Sequence, residues 1–307
     1  MILFPDKNHL LTFPYLLVFF KIVYLQDKIE TMHFLKFVWN PSKGIDVFGV
    51  FTLHYYSLMW IVAFILGFYI MKRIYKHENQ SNESLDSLFM YSVIGIMLGA
   101  RLGHVIFYQS ELITEDFFSI FLPFSFKNGI HFTGFQGLAS HGAAIAMIIS
   151  MYLYNKKVLH KTVLWILDRV VIPVALGAVF VRIGNFINSE IIGKPTGSDF
   201  GVVFKKLGED FPRHPAQLYE SFSYIFVFII LWYFYWKTKK SEQQGFLFGF
   251  FLVLLWTIRF FVEFVKEPQG DEYISWFGLN TGQLLSIPFI LIGLYFMFVY
   301  KPKTNLT

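Results

Sequence analysis

The sequence predicts an all-α integral membrane protein: a bundle of seven transmembrane helices with a small external cap. Hydrophobic residues make up 55% of the 307 positions and aromatic residues 21%. Charged residues make up only 15%, against roughly 25% in an ordinary soluble domain. Long apolar segments recur from Tyr55 to the C-terminal end, and short basic clusters separate them. These observations indicate a chain that crosses a membrane repeatedly.

Seven apolar segments are long enough, at about 1.5 Å per helical residue, to cross a hydrocarbon core of ~30 Å. They lie near residues 55–71, 85–108, 134–154, 162–182, 216–236, 246–265 and 282–300. Because the number of crossings is odd, the start of the first span and the C-terminus lie on opposite sides of the membrane.

The distribution of lysine and arginine gives the orientation, because short cytoplasmic connections carry an excess of both. One set of alternate connections is rich in basic residues, namely Lys72, Arg73, Lys76, Lys156, Lys157, Lys161, Lys237, Lys239, Lys240, Lys301 and Lys303. The other set has fewer, namely Lys127, Lys194, Lys205, Lys206, Arg213 and Lys266. We therefore predict that the N-terminus lies outside and the C-terminus in the cytoplasm.

The chain divides into an N-terminal segment (1–44), a seven-helix transmembrane domain (45–300) and a cytoplasmic tail (301–307). Within the domain, residues 187–214 contain Gly, Pro and the alternating run FGVVFKK, which predicts the external cap. Met1 and Met32 are equally supported as the start, since the residues from Met32 form a complete amphiphilic approach to the first helix. If Met32 is the start, residues 1–31 are not in the native protein, and N-terminal sequencing distinguishes the two.

Composition also excludes some functions. The net charge is +5, but the basic residues fall in clusters that set topology, so we expect no nucleic-acid partner. The chain has no cysteine, so it has no disulfide and no cysteine-based metal site or nucleophile. We expect no metal and no cofactor. Any thiol chemistry would have to use the sulfur of a substrate.

Polar side chains gather at one depth in the predicted bundle. An ionisable group at membrane depth costs ~2.5 to 3.5 kcal/mol on insertion scales, so such a group needs a reason to be there. Residues at this level, roughly 20 to 30 Å from the cytoplasmic edge or farther out, are Tyr56, Arg101, His141, Arg182, Glu190, Glu220, Arg259 and Glu263. Asp168 and Arg169 lie deeper. The pattern is equally consistent with a contact that joins two helices and with a functional role for this pair.

A site for a lipid headgroup explains this shared level. A guanidinium presents several donors in a planar fork that suits phosphate oxygens, and it stays charged at any relevant pH. Arginines facing a phosphodiester would stabilise the charge that develops on a departing phosphate. A nearby histidine could take a proton from an incoming nucleophile. The residues therefore indicate transfer or cleavage at a phospholipid.

Each residue also has an ordinary structural explanation. Arg182 could extend its side chain to the headgroups, and Tyr56 could belong to the aromatic belt. Arg259 and Glu263 could form an ion pair across one helical turn. His141 could be a hydrogen-bonded histidine in a seam of small residues. These explanations hold singly, but they leave the common depth unexplained.

The segment VRIGNFINSEIIG at 181–193 resembles the signature of the prolipoprotein diacylglyceryl transferase family. Other motifs follow in the order of that family: HYYSLMW at 54–60, GARLGHVIFY at 99–108, SHGA at 140–143, RHPAQLYE at 213–220, RFFVEFVKEPQ at 259–269 and TGQLLSIP at 281–288. The resemblance covers residues 45–300. Several ordered motifs are far more specific than any single one.

The resemblance implies a multi-pass enzyme of the bacterial cytoplasmic (inner) membrane, with its active site toward the outer leaflet and the transmembrane domain as its catalytic domain. Such an enzyme moves the diacylglyceryl group of phosphatidylglycerol onto the lipobox cysteine, which follows the signal-peptide helix of a prolipoprotein. The products are a thioether and glycerol phosphate. Its partners would be phosphatidylglycerol, the prolipoprotein signal peptide and membrane lipids.

By position, the resemblance also implies roles for individual residues. The catalytic residues would be His141, Arg182 and Arg259, with His141 as candidate proton acceptor and Arg259 with a bound water as a competing possibility. Residues that would bind phosphatidylglycerol or shape its pocket are Tyr56, Arg101, Arg182, Asn185, Glu190, Gly193 and Glu263.

The chain departs from the family pattern at four positions. Val181, Ala143 and Ser57 replace glycines, and Leu255 replaces a frequent tyrosine. None of them removes a charge from the predicted site.

Other classes of protein stay open at this point. A secondary transporter would place its site near the midplane and show repeat symmetry, neither of which the sequence has. An intramembrane hydrolase needs a nucleophile with a base in reach, but Ser140 and His141, as neighbours on one helix, face different directions. A non-catalytic lipid-binding or assembly subunit is not separated from an enzyme by sequence alone.

Overall fold

The structure, a computed structural model, describes residues 37–49, 51–122, 124–127, 129–132, 137, 139–268 and 278–301. The alternative start at Met32 and most of the tail at 301–307 lie outside the described residues.

Helices dominate the described part of the chain. The longer ones are α1 Tyr55–His77, α2 Asn82–Tyr108, α3 Ser140–Tyr154, α4 Val163–Asn188, α5 Ala216–Lys237, α6 Phe246–Val262 and α7 Thr281–Leu294. Short helical turns occur at Leu112–Glu115, Phe117–Ile120, Lys205–Leu207 and Lys239–Glu242, and wider turns at Asn155–Leu159 and Tyr295–Val299 continue α3 and α7. Within the described residues, five segments are long and apolar enough to cross a membrane: α1, α2, α4, α5 and Thr281–Val299. The prediction of a helical, multi-pass membrane protein is confirmed.

Capping side chains explain several helix boundaries. Ser81 accepts a hydrogen bond from Ser84 N at 3.1 Å, so α2 begins three residues before the predicted start of its span at 85. Thr162 caps α4 in the same way. Asn280 and Gln283 form a capping box at the start of α7.

Three predicted spans differ from the helices by six residues at one end. The span predicted near 55–71 ends too early, because α1 continues to His77. The span predicted near 134–154 begins too early, because α3 starts at Ser140. The span predicted to end at 182 ends too early, because α4 continues to Asn188. Arg182 therefore lies within the last two turns of α4, not at its end.

Short strands add to the predicted all-α architecture. β1 Phe37–Trp39 pairs in parallel with β6 Val202–Phe204, and β2 Gly44–Val47 forms an antiparallel hairpin with β3 Phe51–His54. A third pair joins β4 Phe124–Ser125 to β5 His131–Phe132. All of them lie in the segments that precede or connect helices. The residues before Tyr55, interpreted as an amphiphilic approach to α1, thus form strands.

The β1 and β6 pair covers the C-terminal end of α4. Trp39 stacks on Phe186 with the ring centroids 4.6 Å apart, and Trp39 Nε1 donates a hydrogen bond to Phe186 O at 2.9 Å. Phe204 is fully buried beneath them. Part of the N-terminal segment 1–44 therefore packs on the predicted cap at 187–214.

Helix α4 is the central helix of the bundle and packs against α1, α5 and α6. Its two deeper charges tie helices together. Asp168 accepts hydrogen bonds from the backbone N–H groups of Gly245 and Phe248 at the start of α6, at 2.7 and 2.9 Å. Arg169 pairs with Glu78 at 2.8 Å, just beyond α1. These contacts favour the helix-tie interpretation of Asp168 and Arg169.

Helices α2 and α3 meet at glycines. A Cβ on Gly142 would overlap the carbonyl oxygen of Gly99, and it would lie 2.7 Å from the Cα of Gly103. Only glycine allows the two backbones to approach this closely. This contact fixes the first turn of α3, which carries His141.

We expect Gly142→Ala to destabilise the protein by roughly 1 to 3 kcal/mol, because the added methyl group forces two packed backbones apart. The matched control is Gly177→Ala in α4, where a Cβ would meet Ala63 at an ordinary 3.7 Å. Thermal unfolding in detergent should show a lower Tm for the first variant and little change for the second. Equal Tm values for the two variants would contradict the close contact.

Candidate functional site

Arg182 forms a buried ion pair with Glu220 on α5. Arg182 Nε lies 2.7 Å from Glu220 Oε2, and Arg182 Nη2 donates to Glu220 Oε1 at 3.2 Å. The side chain of Glu220 is fully buried and that of Arg182 is 15% exposed. The guanidinium is therefore held in place by a neighbouring helix, which argues against a free side chain that extends to the headgroups.

A third contact completes the surroundings of Arg182. Its Nη1 donates to Asn185 Oδ1 at 3.2 Å, one turn along α4. Tyr224 on α5 also interacts with the guanidinium, so side chains from α4 and α5 both hold it in place. Tyr56 lies close by: a Cβ on Gly184 would meet the Tyr56 ring at 2.7 Å, and Tyr56 interacts electrostatically with Arg182.

The chain turns sharply after α4. Ser189 and Ile191 adopt left-handed backbone conformations, with φ of 60° and 56°. For a β-branched residue such as Ile191 this conformation is strained, and such strain is typical of functional sites. The turn places the Glu190 carboxylate within reach of two amides: Asn188 Nδ2 donates to it at 3.0 Å and Asn185 Nδ2 at 3.4 Å. A connected network thus runs from Arg182 through Asn185 to Glu190.

Gly193 has a role in backbone packing. A Cβ there would overlap the carbonyl oxygen of His214 and lie 2.9 Å from that of Val265. Gly193 also forms an isolated antiparallel bridge with Lys266. The segment after α4 is therefore pressed against the residues that follow α6.

Arg259 lies near the end of α6 with weaker partners than Arg182. Its Nε is 3.7 Å from Glu263 Oε1, and its guanidinium carbon lies 5.2 Å from the centroid of the Trp256 ring. Among the described residues, nothing forms a hydrogen bond with this buried Nε. Arg259 and Glu263 are therefore within ion-pair distance across one helical turn, as predicted, but Arg259 Nε forms no hydrogen bond with the carboxylate.

Tyr224 connects the surroundings of the two arginines. It interacts electrostatically with both Arg182 and Arg259, and its hydroxyl donates to Glu220 Oε1 at 3.3 Å. Helices α4, α5 and α6 pack against one another, so both guanidinium groups lie around one tyrosine. The structure thus brings Arg182, Arg259, Asn185, Tyr56 and Glu263 to one end of the bundle.

Arg101 binds carbonyl oxygens of the connection between α2 and α3. Its Nε donates to Ile120 O at 3.2 Å and its Nη2 to Ser119 O at 3.0 Å, and the residue is buried. In the same connection, Ser125 donates to the Asp116 carboxylate and holds the pKa of that group below its usual value. The contact of Arg101 with substrate stays a prediction.

His141 is the second residue of α3, and the glycine contact with α2 fixes its backbone. Its part as proton acceptor also stays a prediction. Among the described residues, no group of three or more His, Cys, Asp or Glu side chains could hold a metal ion.

Three residues of α5 lie at the site without a role predicted from the sequence. The sequence predicts Glu220 at the outer level but not beside Arg182, and it gives no role to Gln217 or Tyr224. These three share one face of α5 at positions i, i+3 and i+7, and Gln217 Nε2 donates to Glu190 O. A polar stripe on an otherwise apolar helix is the signal that could have identified them.

This arrangement defines the class of the protein: a multi-pass membrane protein with two arginines set among carboxylates and amides at one end of its helices. The sequence model of one family, prolipoprotein diacylglyceryl transferase, matches residues 44–299. The chain belongs to this family of transferases.

Relatives named phosphatidylglycerol–prolipoprotein diacylglyceryl transferase are similar over most of their length. The one from Bacteroides fragilis is 39% identical over 270 residues, which cover 87% of this chain and 96% of the relative. The one from Tolumonas auensis is 39% identical over 84% of this chain and 95% of its own length. The one from Chloroherpeton thalassium is 35% identical over 85% and 92%. The resemblance noted over residues 45–300 is thereby confirmed.

Proposed function

We propose that this chain transfers the diacylglyceryl group of phosphatidylglycerol to the thiol of the lipobox cysteine of prolipoproteins, the first step of bacterial lipoprotein maturation. The names of its relatives contain both substrates. The observation that carries the proposal is the pair Arg182 and Arg259, which come from different helices and share Tyr224 as a neighbour. Among the described residues, nothing forms a hydrogen bond with the buried Nε of Arg259.

The reaction exchanges one bond for another. The cysteine sulfur attacks the glyceryl carbon that bears the phosphate, a C–S bond forms, and the C–O bond to the phosphate breaks. Glycerol phosphate leaves with the electron pair of that bond and so gains a negative charge. Preorganised guanidinium donors in a site with little water stabilise this charge most strongly at the transition state. Arg182 and Arg259 would supply these donors.

The thiol must lose its proton before it attacks, since the thiolate is the nucleophile and a free cysteine has a pKa near ~8.5. His141 is the proposed acceptor of this proton. A water held by Arg259 is the competing acceptor. In either case two nearby cations favour the thiolate over the thiol.

The other proposed site residues bind or shape the pocket. Asn185 and Glu190 extend the network from Arg182. Tyr56 would form a wall beside Arg182, and Glu263 would do so beside Arg259. Gly193 would help to shape the pocket, because it allows the close backbone contact with His214 and Val265. Arg101 would do so because it holds the connection between α2 and α3.

The proposal includes a topology. All seven longer helices, α1 to α7, would cross the bacterial cytoplasmic membrane, with the N-terminus outside and the C-terminus in the cytoplasm. This assigns residues 45–300 to the catalytic domain and 187–214 to an external cap. The site then lies toward the outer leaflet, where the cysteine that follows a signal-peptide helix would arrive. The positive-inside distribution of lysine and arginine supports this orientation.

We expect Arg182→Lys and Arg259→Ala each to lower transfer at least ~100-fold, because a point charge or a methyl group does not replace a planar fork on phosphate. The assay uses purified protein, radiolabelled phosphatidylglycerol and a lipobox peptide with cysteine, with a serine peptide as the blank. The matched control is Arg73→Ala, since Arg73 lies over Trp232 and Trp236 near the opposite end of α1 from Tyr56. Near-normal thioether formation by either site variant would refute the proposed role.

We expect His141→Asn to lower transfer ~100-fold or more, the usual contribution of a general base. The control is His160→Asn, because His160 is exposed and has a left-handed backbone that asparagine tolerates well. If His141→Asn keeps most of the activity in the same assay, His141 has a structural role and the proton goes elsewhere.

Single cysteines can test the topology, because the chain has none of its own. We expect a membrane-impermeant maleimide to label Ser198→Cys in intact spheroplasts, and to label Lys157→Cys only after the membrane is opened. Both positions are exposed in the structure, so access depends on the side of the membrane. The reverse labelling pattern would invert the orientation.

A further inference from the structure

We infer that Lys266 is a positioning residue that occupies the Glu263 carboxylate and thereby keeps Arg259 available for the substrate phosphate. This inference rests on the proposed function, since it assigns the phosphate of phosphatidylglycerol to Arg259. Lys266 lies within the motif RFFVEFVKEPQ at 259–269, but none of the site roles implied by the resemblance falls on it.

Two cations compete for one carboxylate oxygen. Lys266 Nζ donates to Glu263 Oε1 at 2.6 Å, whereas Arg259 Nε lies 3.7 Å from the same oxygen. Lys266 and Glu263 are both buried. Lysine thus holds the oxygen that an arginine one turn away would otherwise bind.

The rest of the carboxylate is also occupied. Asn280 Nδ2 donates to Glu263 Oε2 at 3.4 Å, and Asn280 itself is fixed by its capping box with Gln283. Gly282 gives the carboxylate room, since a Cβ at that position would lie 2.5 Å from Glu263 Cδ. The start of α7 therefore holds Glu263 at a distance from Arg259.

The backbone of Lys266 is held by the segment that follows α4. Lys266 forms an antiparallel bridge with Gly193, Lys194 N donates to Val265 O at 2.8 Å, and Glu267 N donates to Ile192 O at 3.0 Å. The position of Lys266 thus depends on the strained turn beyond Arg182. This contact joins the surroundings of the two arginines.

The charge balance shows what Lys266 accomplishes. Arg259, Lys266 and Glu263 together carry one net positive charge, and among the described residues the buried Nε of Arg259 has no hydrogen-bond partner. A buried donor without a partner is unfavourable, so a hydrogen bond from this group to an incoming phosphate oxygen would be stabilising. If Lys266 lost its charge, Glu263 would pair with Arg259, and the phosphate would face a neutral pair.

The test is a double-mutant cycle on the binding of phosphatidylglycerol. Short-chain phosphatidylglycerol is titrated onto the purified full chain in uncharged detergent, and short-chain diacylglycerol is the probe without phosphate. We expect Lys266→Met to raise the Kd for phosphatidylglycerol about tenfold and to leave that for diacylglycerol unchanged. Lys266→Arg should retain binding, since it keeps the cation beside Glu263.

The double variant Lys266→Met with Glu263→Gln decides the mechanism. Removing the carboxylate that captures Arg259 should return the Kd to within about threefold of the wild-type value. If the double variant binds no better than Lys266→Met, Lys266 contacts the phosphate or serves only packing, and the inference is wrong. Where Lys266→Met does not fold, the same cycle is run with Lys266→Leu, which likewise cannot donate to Glu263.

Binding and transfer can fail separately. Should the wild-type protein bind phosphatidylglycerol but form no thioether with the cysteine peptide, the proposed reaction is wrong while the cycle still decides the role of Lys266. Should transfer occur and the double variant show no recovery of binding, only the role of Lys266 is lost.

Discussion

The ion pair between Arg182 and Glu220 is the constraint on which the site depends. Removing two charges from water is costly, and their attraction offsets that cost only when the geometry is good and further hydrogen bonds are present. Here Asn185 and Tyr224 provide them. Because a buried charge without its partner is strongly destabilising, α4 and α5 must keep one relative height and rotation. All other site residues on these helices are placed by that requirement.

The two arginines differ in how far neighbouring side chains compensate their positive charge. Arg182 has a fully buried carboxylate at 2.7 Å, so its orientation is fixed and its charge is compensated. Among the described residues, the nearest carboxylate to Arg259 is 3.7 Å away and its other close partner is the Trp256 ring, so its charge is less fully compensated. A site for an anionic lipid benefits from both properties. In the proposed site, the first guanidinium would provide geometry, and the second would provide positive charge for a phosphate.

Much of this arrangement could be predicted from the sequence, because hydropathy reports burial in a membrane and charge at membrane depth is rare. The helical, multi-pass class, the approximate spans and the common level of Arg182, Arg259 and Glu263 all follow from that. The partner of Arg182 does not, because the contact with Glu220 depends on how two helices are rotated against each other. Hydropathy also gave the wrong end for α4 and the wrong start for α3, since helices stop where capping and backbone contacts allow. The strands β1 to β6 are too short to leave a clear alternating pattern.

The pairing of β1 with β6 limits how far the chain can be shortened. The family match begins at residue 44, yet Trp39 lies before it and closes the end of α4 through Phe186. A truncation or fusion that starts at residue 44 would keep every apolar helix. It would nevertheless remove β1, which covers the end of α4, the helix that carries Arg182. The boundary of the family match is therefore not the boundary of the folded unit.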